Sequence, residues 1–168
     1  MDETQKVLIT AEYLDALRAK SRALQNRVAE AQREKIQSYD GDTNTWHDNF
    51  AYEEAARQES IAKSELRVVA REIECAAVCP PPERRLRPAL QTNGPDCVGI
   101  WTRAIIEVDG ALREICIVPV GGEDISAGVY NYRTPFAAAL LGARVGETRI
   151  IRIPAGDISA RIIDIKKF

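Results

Sequence analysis

Two long stretches of heptad spacing face each other across a short polar break, and this constrains the chain more than any other feature. In the first stretch Leu14, Leu17, Ser21, Leu24, Val28, Ala31 and Lys35 recur at alternating steps of three and four. In the second, Tyr52, Ala55, Glu59, Ala62, Leu66, Val69, Ile73 and Ala76 do the same, and the pattern stops before Pro80-Pro81-Pro82. Side chains at this spacing fall on one stripe of an α-helix, so each stretch must bury that stripe against a partner. The chain supplies the partner itself: two such helices of similar length with a short link between them fold as an antiparallel hairpin. Thr10 is placed to cap the first helix, and each arm of about 28 residues would extend about 42 Å at 1.5 Å per residue. The seam thins towards the tip, where Ala31, Lys35, Ala55 and Glu59 replace the Leu and Ile of the base. A buried Leu contributes about 1.5–3 kcal/mol and an Ala far less. Such an end suits insertion into a narrow pore, and equally suits plain fraying.

The break, residues 39–54, carries Asp40, Asp42, Asp48, Glu53 and Glu54 together with the only histidine, His47. Carboxylates held at the end of a rigid arm can deliver negative charge to a distant, buried metal ion. The plainer reading is a solvated turn, because Asp, Asn, Gly and Thr are turn formers in their own right. The basic residues of the first arm (Arg18, Lys20, Arg22, Arg27, Arg33, Lys35) could track a nucleic-acid backbone or simply solvate the helix.

Beyond the arms, Pro80, Pro81, Pro82 and Pro88 cannot continue a helix. Residues 80–95 therefore read as a stiff linker, with Arg84, Arg85 and Arg87 as a brief basic cluster. The expected organisation is a coiled-coil domain over 1–79, the linker, and a second domain over 96–168. From residue 101 the periodicity changes to two. Residues 101–108 and 112–118 flank Asp109-Gly110 as a hairpin, and 130–132 read as a short strand. Residues 134–142 read as a helix with Thr134 as cap, Pro135 in its first turn and Gly142 as its stop. Strands over 148–153 and 158–165 close the domain. The fold class is thus α+β, a helical hairpin followed by an antiparallel sheet with one short helix.

A net charge of −2 over 168 residues excludes a surface-wide affinity for nucleic acid. No apolar run approaches the ~20 residues of a membrane span, and the first residues lack the pattern of a signal peptide. A cytoplasmic monomer with no membrane partner is expected. Cys75, Cys79, Cys97 and Cys116 lack the paired spacing of structural zinc and read as reduced, buried or half-buried thiols. No phosphate loop, nucleophile elbow or acid–base set is evident.

Two local patterns carry a resemblance that spans the chain. Asp48-Asn49-Phe50-Ala51-Tyr52, followed by Ala55-Ala56-Arg57, resembles the tip-to-helix motif of the GreA/GreB transcript-cleavage factors, Glu-Asn-x-x-Tyr with small and basic residues after it. The run from Thr134 to Glu147 resembles that family's Ser/Thr-Pro-x-Ala-x-Ala-Leu-Leu-Gly-x-x-Val-Gly-Asp/Glu. The resemblance implies an FKBP-like C-terminal domain that docks at the rim of the secondary channel of bacterial RNA polymerase, here through Thr134, Pro135, Leu140, Leu141 and Gly142. It implies that the coiled coil enters that channel, so that contact with the nascent RNA 3′ end is indirect. Asp42 and Asp48 would then be the catalytic and metal-holding pair, sharing Mg²⁺ with the polymerase active site, and the isolated protein would bind none. Asp40, Trp46, His47, Asn49, Tyr52 and Glu53 would support the tip. On this reading the chain is an accessory factor, and the nuclease is the polymerase. The sequence departs from the family at the tip: Thr45 stands three residues before Asp48, where the family has Asp, and Asp48 replaces Glu. Asp42 follows a glycine as the family's Asp does, but six residues before Asp48. Cleavage stimulation, regulation of the polymerase without cleavage, and an FKBP-like prolyl isomerase or chaperone role remain the three readings.

Overall fold

A computed structural model of the chain describes residues 6–39, 50–82, 96–154 and 156–167. The chain divides by internal packing into two units, Met1–Lys6 with Leu14–Ala76, and Val7–Tyr13 with Ala77–Phe168.

The first unit holds helix α1 (Ala11–Tyr39) from Leu14 onwards and the whole of α2 (Phe50–Cys75). Leu17, Leu24, Ala31, Ala55, Glu59, Ala62 and Val69 are buried, while Leu14, Ser21, Val28, Lys35, Tyr52, Leu66 and Ile73 are half-buried. Those are the seam positions of the heptad pattern, so the stripe read from sequence is the stripe that packs. Arg27 Nη1 lies 3.6 Å from Glu65 Oε2, and Lys35 Nζ lies 3.2 Å from Glu59 Oε2. Moving outward along α1 therefore means moving back along α2, and the two helices are antiparallel. At 1.5 Å per residue their 29 and 26 residues extend about 44 and 39 Å.

Strand β1 (Val7–Ile9) pairs with β2 (Ala76–Val78). Ala76, which fits the heptad pattern, is thus strand rather than helix. In the second unit Val120 bonds on both sides of Ile9: its N–H donates to the Leu8 carbonyl at 3.1 Å, and its carbonyl accepts from Thr10 N–H at 3.0 Å. Thr10 also caps α1, its Oγ1 accepting from Tyr13 N–H at 3.2 Å.

The main sheet runs β5-β4-β3-β7-β6, built from β3 (Thr102–Val108), β4 (Ala111–Val118), β5 (Val129–Asn131), β6 (Thr148–Ile153) and β7 (Gly156–Lys167). Asp109 and Gly110 join β3 to β4 with φ of 52° and 76°, the two left-handed residues that a tight hairpin of this twist needs. The sheet is mixed and not wholly antiparallel as expected, because β5 lies parallel to β4, with Ile117 opposite Tyr130. The crossover between them is a 3₁₀ turn, Ile125–Ala127. Asp124 caps it by accepting from Ser126 and Ala127 N–H, and Gly128 closes it at φ 74°. The core lies between the concave face of the sheet and α3 (Pro135–Leu140), where Ile106, Ile117, Ala137, Leu140, Ile151 and Ile162 pack without exposure.

Candidate functional site

The tip begins where the seam becomes polar. Glu59 occupies a core position of α2, where burial of an unpaired carboxylate would be costly. It is satisfied by three donors: Lys63 Nζ at 2.6 Å, Gln32 Nε2 at 2.9 Å and Lys35 Nζ at 3.2 Å. Those donors, Lys63 foremost, hold its carboxyl down to about 2, and Glu59 in turn raises Lys35 above its ordinary value. Lys35 Nζ also stands 5.4 Å from the centroid of the Tyr52 ring, within cation–π range. Tyr52 is therefore tied to α1 by a residue that answers to Glu59.

Glu53 points outward and is exposed, whereas Glu54 is engaged. Arg57 grips Glu54 with two bonds of 2.9 and 2.7 Å, and Gln58 adds a third at 2.8 Å. Arg57 chiefly, then Gln58, hold this carboxyl down to about 2. Glu54 is accordingly a structural acid within α2, and Glu53 is the described carboxylate nearest the tip that faces solvent. Asp40, Asp42, Thr45, Trp46, His47, Asp48 and Asn49 lie outside the described residues, as do Arg84, Arg85 and Arg87 of the linker. Among the described residues no three His, Cys, Asp or Glu side chains gather as they would around a metal ion.

In the second unit the motif from Thr134 onwards is built as a capped helix and its exit. Thr134 Oγ1 accepts from Ala137 N–H at 3.2 Å and donates to the Asn131 carbonyl at 2.9 Å, and Pro135 opens the helix. Leu140 is fully buried and anchors the helix to the sheet. Leu141 N–H closes the last turn onto the Ala137 carbonyl at 3.1 Å. Gly142 takes φ 76°, which frees its N–H to donate to the Val98 carbonyl at 2.8 Å. Of these five, Pro135 and Gly142 are exposed, Thr134 and Leu141 half-buried, and Leu140 has no surface to offer a partner. Tyr130 stacks on Phe136 with ring centroids 4.7 Å apart, a contact the sequence did not suggest. Cys97 is exposed, contrary to the expectation of burial, while Cys116 is buried, which pushes its thiol up.

Residues 92–167 match the family profile described as "Transcription elongation factor, GreA/GreB, C-term". The transcription elongation factor GreA of Thermomicrobium roseum is 28% identical over 170 residues, an alignment covering 96% of this chain and 98% of that protein. The C-terminal part thus matches the GreA/GreB family, and the chain over its length is similar to a GreA. The GreA of Streptococcus thermophilus is 39% identical over 51 residues, 30% of this chain and 32% of its own. Among solved structures, GreA factor homolog 1 of Thermus thermophilus aligns over 96% of this chain and 99% of its own, with 17% identity and a TM-score of 0.41.

Proposed function

We propose that this chain acts as a Gre-family factor, which inserts its helical arm into the secondary channel of a bacterial RNA polymerase in the cytoplasm and stimulates cleavage of backtracked RNA. The observation that carries the reading is the antiparallel hairpin itself, in a chain that matches a GreA from end to end. The described helices end at Tyr39 and resume at Phe50, and the sequence between them carries Asp42 and Asp48. Carboxylates are the hard oxygen donors that Mg²⁺ prefers. Asp42 and Asp48 would contribute ligands to an ion shared with the polymerase active site. When bound, that ion would help activate the water and stabilise charge on the transferring phosphate. Tyr52, held under Lys35, and exposed Glu53 would flank the acids. Docking of the C-terminal unit would use exposed Pro135 and Gly142 with half-buried Thr134 and Leu141, on the footing that Leu140 provides. The chain would remain an accessory factor, with no nuclease of its own.

One observation favours a second reading. Thr45 stands at the spacing where the family pattern has Asp, and Asp48 is one methylene shorter than Glu. A tip so altered could occupy the channel and regulate the enzyme without cleavage. Backtracked elongation complexes with labelled RNA separate the two. Cleavage stimulation predicts RNA shortening well above the polymerase's intrinsic rate, lost in Asp42→Ala and Asp48→Ala. Slowed elongation with no added shortening would leave the second reading in place of the first.

A further inference from the structure

The distal half of the arm has little in its apolar seam to choose one alignment over another. Its buried positions there are Ala31, Ala55 and Ala62, small knobs that fit one another's holes in more than one register. Glu59 is the exception. Its side chain is only 10% exposed, and two of its three hydrogen bonds come from the facing helix, from Gln32 and Lys35. If the arms slid by one heptad towards the base, Gln25 would replace Gln32 and Val28 would replace Lys35. The carboxylate would keep an amide but lose the cation across from it, and Lys63 on its own helix would be the sole charge partner left. Removing one partner of a buried charge is far costlier than the pair itself is worth. Polar groups at single core positions are known to select register in this way.

We propose that Glu59 is the positioning residue that locks the register of the distal hairpin, with Gln32 and Lys35 as its receptor on the opposite helix. Lys35 carries the lock outward, because the same ammonium lies over Tyr52. Whatever the tip delivers is thus aimed by a charged contact two turns back, not by apolar packing. The lock is a property of the arm and holds whether or not the arm enters a polymerase.

The test is pulsed electron–electron resonance on the full chain, with spin labels on keto amino acids so that the native cysteines stay in place. One pair of labels goes at Gln37 and Ala51, beyond Glu59, and a second at Lys20 and Arg71, nearer the base; all four positions are exposed. Glu59→Leu suits an apolar seam and should preserve helix, yet the distal pair should change from one narrow distance to a broad or doubled distribution. A one-heptad slip displaces the arms by about 10 Å along each other, well within resolution. The proximal pair should stay narrow. Exchanging the charges (K35E, E59K and K63E together) should restore a single distal distance. A narrow distal distance in Glu59→Leu, equal loss of order at both pairs, or failure of the exchange to restore it would each overturn the proposal.

Discussion

Leu140→Ala tests whether the Thr-Pro-to-Gly run serves the fold or a surface. Leu140 is fully buried between α3 and the sheet. Truncation removes three carbon groups, about 2.4 kcal/mol of transfer energy at ~0.8 kcal/mol each. The surrounding side chains are Ile106, Ile117, Ile151 and Ile162 on a five-stranded sheet, which cannot collapse inward, so a cavity remains. Cavity cost brings the expected loss to about 3–5 kcal/mol. For a unit of this size that is a fall in melting temperature of more than about 12 °C, at ~4–8 °C per kcal/mol. Leu112→Ala is the matched control, because that leucine is 66% exposed and should cost less than about 0.5 kcal/mol. Urea unfolding followed by tryptophan fluorescence in a Trp46→Phe background reports through Trp101 alone, at the entrance to β3. If Leu140→Ala unfolds at the same urea concentration as Leu112→Ala, Leu140 is not the anchor described here.

Gly121→Ala should destabilise far more than Gly110→Ala. Both glycines have positive φ, but a Cβ on Gly121 would clash with the Tyr13 side chain, while Gly110 faces open space; thermal melts of the two variants check this. Thr134→Ala should cost about 1 kcal/mol through loss of the helix cap, and Thr134→Ser should recover most of it in the same melts. Glu54 and Glu59 have folded values lowered to about 2, below the ordinary ~4.3 of a free Glu. Their contribution to stability is therefore complete above that ordinary value and is lost as pH falls towards 2. Helicity at 222 nm should fall across this window, and the fall should be shallower in a Glu54→Gln/Glu59→Gln variant.

The arm was legible because its signal is periodic and long. Every seam residue from Leu14 to Lys35 and from Tyr52 to Ile73 is buried or half-buried, since a helix of eight turns repeats the same choice of face many times. Short strands offer no such repetition. Val7–Ile9 gave no strand pattern, and Ala76 fitted the heptad although the chain leaves the helix at Cys75 and pairs Ala76–Val78 with Val7–Ile9. The parallel setting of β5 was invisible for a different reason. Alternation shows that Tyr130 belongs to a strand but carries no sign of direction, which is set by Asp124 and Gly128 folding the crossover. The closing strand also starts earlier than its apolar run, at Gly156, because pairing with Ile153 extends the ladder into residues read as a turn. At the candidate site the sequence marked Glu59 as a seam residue, but its donors come from 4 residues along α2 and 24 and 27 residues back along the chain. Contacts of that separation have no local signature. Asp42 and Asp48 lie outside the described residues and rest on the sequence and its resemblance alone.

Where the end of the arm goes is the question on which the functional account turns. A photoreactive benzoyl-phenylalanine at exposed Glu53 in the full chain, irradiated in a complex with bacterial RNA polymerase, reads it directly by mapping the crosslinked peptide. The account predicts crosslinks within the secondary channel, beside the polymerase's catalytic Mg²⁺. Crosslinks confined to the outer surface of the polymerase, or none from a complex shown to have formed, would contradict it.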